Sequence, residues 1–148
     1  MSYRHILVPT DGSARSRRAI DTAVRLAARL HARLTSIYVV PEGVPTLFSG
    51  DRLLYGGGVI SPRIRAGLRK AAAEALDAVA RAADKAGVEH ASTRTRAHAP
   101  WQAIVHAART RRCDLIVMAT HGKRGLAALG SQTMKTVSHS RVPVLVCR

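Results

Sequence analysis

Acidic residues and aromatic rings are what this chain has least of. Only 9 of its 148 residues are Asp or Glu, against 24 Lys and Arg, which leaves a formal net charge of +15 at pH 7. Aromatics make up 3% of the chain, so aliphatic side chains and alanine must fill any interior. The same scarcity argues against single-stranded nucleic-acid binding, which interleaves rings with cations. Tyr3, Tyr38, Phe48, Tyr55 and Trp101 do not cluster with arginines, and no recognition helix or ring-bearing RNA-binding strand is visible. A chain this basic is drawn to polyanions by charge alone, and no specific nucleic-acid partner is expected. Two cysteines, Cys113 and Cys147, are too few for a disulfide framework and lack metal-ligand spacing, so both read as packing thiols. No apolar run nears the ~20 residues that span a bilayer. The opening MSYRHILVPTDGS lacks the apolar core and cleavage site of a secretory leader. The expectation is a cytoplasmic protein with no membrane partner. With 47% hydrophobic residues there is material for a core, and 148 residues suit a single domain over 1–148.

Five short runs alternate with four helical patterns. The runs are His5–Thr10, Thr35–Val40, Ala91–Ala97, Asp114–Thr120 and Val142–Arg148. HILVPT, TSIYVV and DLIVMAT are nearly continuous in apolar residues, as central strands buried on both faces must be. ASTRTRA alternates small and charged residues and suits an edge strand. A period of 3.6 runs from Ser13 to Leu34, with Ile20, Ala23, Val24, Ala27 and Leu30 on one face and Arg18, Arg25 and Arg29 on the other. Pro62 opens a second helix that Gly87 ends, Pro100 opens a third, and a shorter fourth runs from Ser131 through Met134 and Val137. This alternation predicts an α/β fold, doubly wound and Rossmann-like, with a five-stranded parallel sheet and helices on both faces. Pro41–Ser61 holds two prolines and five glycines and reads as a long mobile loop near the site.

In such a sheet, ligands bind outside the carboxyl ends of the strands, where the strand order reverses. That edge carries Pro9–Ser13, Val39, Val40, His98 and the stretch Ala119–Ser131. The last reads ATHGKRGLAALGS, a strand opening into a glycine-punctuated loop and a helix start. Glycines admit an anion to the backbone, helix-start amides donate to it, and Lys123, Arg124 and the Ser131 hydroxyl add to the attraction. The same letters also fit an ordinary strand-to-helix loop with Ser131 as its N-cap. Asp11, in TDGS, either caps the first helix or accepts a hydrogen bond from a ligand hydroxyl. His121 lies near the presumed phosphates or is simply a surface histidine. Val39, from its residues alone, is a buried strand valine.

ILVPTDGS, HAPWQAI, CDLIVMATHGKRGL and SRVPVLVCR, in this order and along the whole length, resemble the universal stress protein (UspA) family. Nucleotide-binding members of that family carry a glycine, two residues, a glycine, nine residues, then Gly-Ser or Gly-Thr. The resemblance implies ATP or a related adenine nucleotide, alone or with Mg, as ligand. The implied contacts are Pro9, Thr10, Asp11, Val39, Ala119, His121, Gly122, Lys123, Arg124, Gly130, Ser131 and Gln132. It also implies a homodimer through the strand at 142–148. Three positions depart from the pattern. Ala119 replaces the first glycine, the spacer Lys123–Leu129 has seven residues instead of nine, and His98 replaces a glycine two residues before Pro100.

No HExxH, GxSxG or Walker A motif appears. The seven histidines are scattered without ligand spacing or a carboxylate neighbour, so no base for hydrolysis is visible. The reading is therefore a nucleotide-binding stress-response module. Two others follow it: a dimer acting through protein partners without nucleotide, and a slow ATPase.

Overall fold

The structure is a computed structural model, and it describes residues 2–42, 44–48, 52–56, 61–120 and 130–148. Its elements run β1 (His5–Pro9), α1 (Ala14–Leu30), β2 (Arg33–Pro41), β3 (Val44–Phe48), β4 (Arg52–Gly56), α2 (Pro62–Lys85), β5 (His90–Ala97), α3 (Pro100–Thr110), β6 (Leu115–Ala119), α4 (Ser131–His139) and β7 (Val144–Cys147). Five strands form one sheet in the order β5-β2-β1-β6-β7, and every pairing in it is parallel. The α/β architecture is as expected. The expected long loop at 41–61 differs, because β3 and β4 pair antiparallel within it.

The sheet is central because its middle strands are apolar on both faces. Ile6, Leu7 and Val8 of β1 and Ile116 and Val117 of β6 are all fully buried. Alternate residues serve opposite layers. Ile6, Val8, Leu34, Val117 and Ala119 pack with Ala19, Ile20, Ala23, Val24 and Ala27 of α1 and with Val79 and Ala83 of α2. Leu7, Ile37, Ile116 and Met118 pack with Ile104, Ala107 and Ala108 of α3 and with Cys113. Each fully buried Val, Leu or Ile contributes roughly 1.5–3 kcal/mol of transfer free energy, so these two layers dominate the folding drive. At the amino edge, the Asp114 carboxylate accepts hydrogen bonds from the Arg4 and His5 amides at 2.9 and 3.0 Å, fixing β1 beside β6.

α1 stops earlier than its 3.6 period suggests. His31 takes a left-handed conformation (φ 52°) and its amide bonds back to Ala27, so Arg33 and Leu34 belong to β2. α2 starts at Pro62 with Ser61 as its N-cap, the hydroxyl accepting from the Ile64 amide. Its inner face is well covered from Ala72 onward, whereas Ile64 in the first turn is 39% exposed. α4 buries threonines and exposes its larger apolar side chains. Thr133 and Thr136 are fully buried, while Met134 and Val137 are exposed. Neither buried hydroxyl goes unpaired: Thr133 donates to the Ala119 carbonyl of β6 at 3.1 Å and Thr136 to the Gln132 carbonyl within its own helix at 2.8 Å.

Candidate functional site

The strand order reverses between β1 and β6. From there the chain leaves β1 into α1 on one face, and α4, following β6, lies beside α3 on the other. The crevice that such a reversal opens is where α/β proteins take ligands. On the β1 side, the turn is held by its own side chains. The Thr10 amide donates to the Ile37 carbonyl of β2 at 3.0 Å, and the buried Thr10 hydroxyl accepts from the Gly12 amide at 3.2 Å and lies 3.2 Å from the Ser16 hydroxyl. Asp11 accepts from the Ser13 amide at 2.9 Å. Gly12 has φ +78°, a conformation that side-chain-bearing residues rarely take, and its open side approaches Ala75 of α2. Ser13, not Asp11, is the N-cap of α1, its hydroxyl accepting from the Ser16 amide. Asp11 therefore shapes the turn before the helix and does not cap it.

The other wall is the start of α4. Gly130 is its N-cap and supplies no side-chain cap bond, and Ser131 is its exposed first residue. Ser131 is thus not the N-cap that an ordinary loop would make of it. Gln132 serves a second helix: its side-chain oxygen accepts from the Trp101 amide at 3.1 Å and caps α3, which has no side-chain cap bond at Ala99. Sequence reasoning missed this cap, and the missing Ser, Thr, Asp or Asn before Pro100 was its signal. Val39 packs against the α3 layer on β2, the strand beside β1. Pro9 ends β1 and Ala119 ends β6, so the two lie at the same edge of neighbouring strands. His121, Gly122, Lys123 and Arg124 lie outside the described residues.

The profile of the universal stress protein family matches residues 2–148. The chain belongs to this family. Among its relatives, universal stress protein MJ0531 of Methanocaldococcus jannaschii is 34% identical over 152 residues, covering 99% of this chain and 82% of that protein. The crystal structure of a universal stress protein family member from Burkholderia pseudomallei superposes with a TM-score of 0.76 at 29% identity, covering 98% of this chain and 96% of that one. Two further solved members share the fold. One is in complex with cAMP, at 24% identity, TM-score 0.72 and coverage of 100% and 98%. The other, from Archaeoglobus fulgidus, is in complex with dAMP, at 20% identity, TM-score 0.72 and full coverage of both chains.

In this universal stress protein, two of the departures from the nucleotide-binding pattern have visible outcomes. The methyl of Ala119 is buried in the α1 layer beside Val8 and Val117, and its carbonyl is held by Thr133. His98 turns to Glu42, with its Nε2 3.1 Å from the carboxylate, so one histidine does have an acidic neighbour. Sequence spacing hid that pair because its members stand on the ends of adjacent strands. The shortened spacer at 123–129 lies outside the described residues. Among the described residues, no three His, Cys, Asp or Glu side chains are placed to hold a metal ion, and no helix is long and apolar enough to cross a membrane.

Proposed function

We propose that this universal stress protein binds ATP or a related adenine nucleotide, alone or with Mg, in the crevice between β1 and β6. Occupancy would act as a conformational signal in a stress response, with no turnover required. Asp11 and Val39 would hold the ribose and adenine against Pro9 and Thr10. The backbone at Ala119, Gly122, Gly130 and Ser131 would cradle the phosphates, with His121, Lys123 and Arg124 facing their charge.

The observation that carries this reading is the glycine-capped amino end of α4 at the reversal of strand order. A glycine N-cap has no side chain to accept from the first amides of the helix, among the described residues no cap bond replaces it, and such amides attract an anion. The Thr133 bond to Ala119 keeps that helix end in register with β6. Related universal stress proteins supply the adenine part of the reading, through their complexes with cAMP and dAMP. The test is amide NMR with ATP added at near-physiological salt. Saturable shifts at Thr10, Gly12, Gly130 and Ser131, with none at His5, Arg33 or His90 on the opposite edge, would support the site. Shifts spread over the surface arginines would overturn it.

The same proposal includes a homodimer through the strand at 142–148. β7 is the outer strand of the sheet, and Leu145 on it is 40% exposed. On the adjoining α4, Met134 and Val137 are 52% and 44% exposed. An uncovered apolar edge strand invites pairing with another chain, and a second copy of β7 supplies a matching one.

A further inference from the structure

The amino end of α2 runs against helix electrostatics. Its first turns carry Arg63, Arg65, Arg69 and Lys70, and the first turn has no acid. Cations are disfavoured there, because that end of a helix is positive. Arg65 and Arg69, four residues apart, share a face. With Leu68 and Val40 they line a cleft of about 270 Å³ whose other wall is Arg94 and Arg96 of β5. In the sheet, Arg94 pairs with Tyr38 and Arg96 with Val40, so both arginines project on the face that α2 covers. Val39 projects on the opposite face, toward α3. The cleft is therefore separate from the nucleotide crevice.

Among the described residues, no acidic side chain lines this cleft. Among the described residues, the close contacts between basic and acidic side chains are Lys70 with Glu74 and His98 with Glu42, and neither involves its four arginines. Arg94 and Arg96 taken alone have a bland explanation, since charges on an edge strand block unwanted pairing. That explanation does not reach Arg65 and Arg69, which stand on a helix. Guanidinium groups gathered without a counter-charge repel one another, and a multiply charged anion between them reverses the sign of that term.

The chemistry narrows the anion. Guanidinium forks match phosphate oxygens two at a time. Among the described residues no aromatic ring lines the cleft, so a nucleobase would find no ring there to stack on. Among the described residues, its apolar floor is Val40 and Leu68, too little for a large apolar body. We propose that this cleft binds a linear oligophosphate, a chain of linked phosphate groups without a nucleoside. The proposal does not depend on the nucleotide reading.

The test is calorimetric titration of sodium tripolyphosphate into the full chain at about 0.15 M salt, where the Debye length is ~8 Å and long-range attraction is screened. Arg65→Glu/Arg94→Glu is compared with Arg15→Glu/Arg29→Glu, which makes the same change in net charge on exposed positions of α1. All four positions are exposed, and Arg65→Gln/Arg94→Gln is the milder second variant. The expected result is saturable binding that the cleft variants weaken by about tenfold or more, as loss of charge-assisted bonds requires, and the α1 variant by much less. Gly130→Asp, which blocks the phosphate cradle of the nucleotide crevice, should leave unchanged the binding component that the cleft variants weaken. Equal weakening by both charge-reversal pairs would assign the attraction to net charge and overturn the proposal. Loss of that component in Gly130→Asp would move the site to the start of α4 and overturn it as well. So would tighter binding of a single-stranded RNA than of inorganic polyphosphate with the same number of phosphates.

Discussion

The hydroxyl of Thr133, fully buried, donates a 3.1 Å hydrogen bond to the carbonyl of Ala119. It joins the first turn of α4 to the last residue of β6, and so ties that helix end to the sheet where the strand order reverses. Thr133→Val keeps the shape and deletes the bond, at a cost of about 1 kcal/mol. The denaturant midpoint should fall accordingly, while Thr133→Ser should fall less. An unchanged midpoint in the valine variant would mean that α4 is held by packing alone.

The edge strand makes a second prediction. Sedimentation should find the wild-type chain as a dimer, and Val144→Pro or Val144→Lys as a monomer, because the first removes a donor from β7 and the second charges it. A monomeric wild type would contradict dimerisation through β7.

Acid should weaken this fold in a defined window. His5 is 7% exposed, its Nε2 lies 2.7 Å from the Thr35 hydroxyl, and its Nδ1 has no partner among the described residues. Burial, and then the nearby Arg33 charge, hold its pKa below the ordinary 6.5, only partly opposed by Asp114 and the Arg111 and Arg112 carbonyls. Burial also lowers His90. The unfolded chain therefore takes up protons first as pH falls. Stability is fully present above 6.5 and declines from there toward the depressed folded values. His5→Gln should flatten the dependence of unfolding free energy on pH below 6.5. A slope equal to that of the wild type would remove His5 from the account.

The two thiols should separate by reactivity. Burial pushes the Cys113 thiol up to about 11, whereas Cys147 is only half-buried, on the outer strand. At about pH 8, iodoacetamide should label Cys147 first and Cys113 only on unfolding, read by mass spectrometry. Equal labelling of both in the native protein would show that the α3 layer opens.

The central strands were legible because burial on both faces leaves continuous apolar runs, and HILVP and LIVMA are such runs. The end of α1 was not legible. Helices ending on a left-handed residue usually advertise it with glycine, and here His31 takes that conformation, so the 3.6 period seemed to run on through Leu34. The β3–β4 hairpin was hidden by composition. Pro45 and the flanking glycines read as loop, yet a two-stranded ribbon has free edges on which proline is tolerated.

The candidate site was legible in its edge and less so in its details. TDGS and GSQT stand at the carboxyl ends of neighbouring strands, as the doubly wound pattern demands. The division of labour within them was not readable. Ser13 takes the cap that Asp11 seemed suited for, Gly130 takes the one that fitted Ser131, and Gln132 caps a different helix altogether. Each of these depends on where side chains from distant segments meet, which spacing along the chain does not encode.

The central claim is that the crevice between β1 and β6 takes an adenine nucleotide. Calorimetric titration of Mg-ATP into wild type and Gly130→Asp, repeated with GTP and at raised salt, tests it most directly. The account predicts saturable binding that favours ATP over GTP, survives screening, and disappears when a carboxylate is placed at the amino end of α4. Heat that vanishes with salt for both nucleotides, or that the variant leaves unchanged, would contradict it.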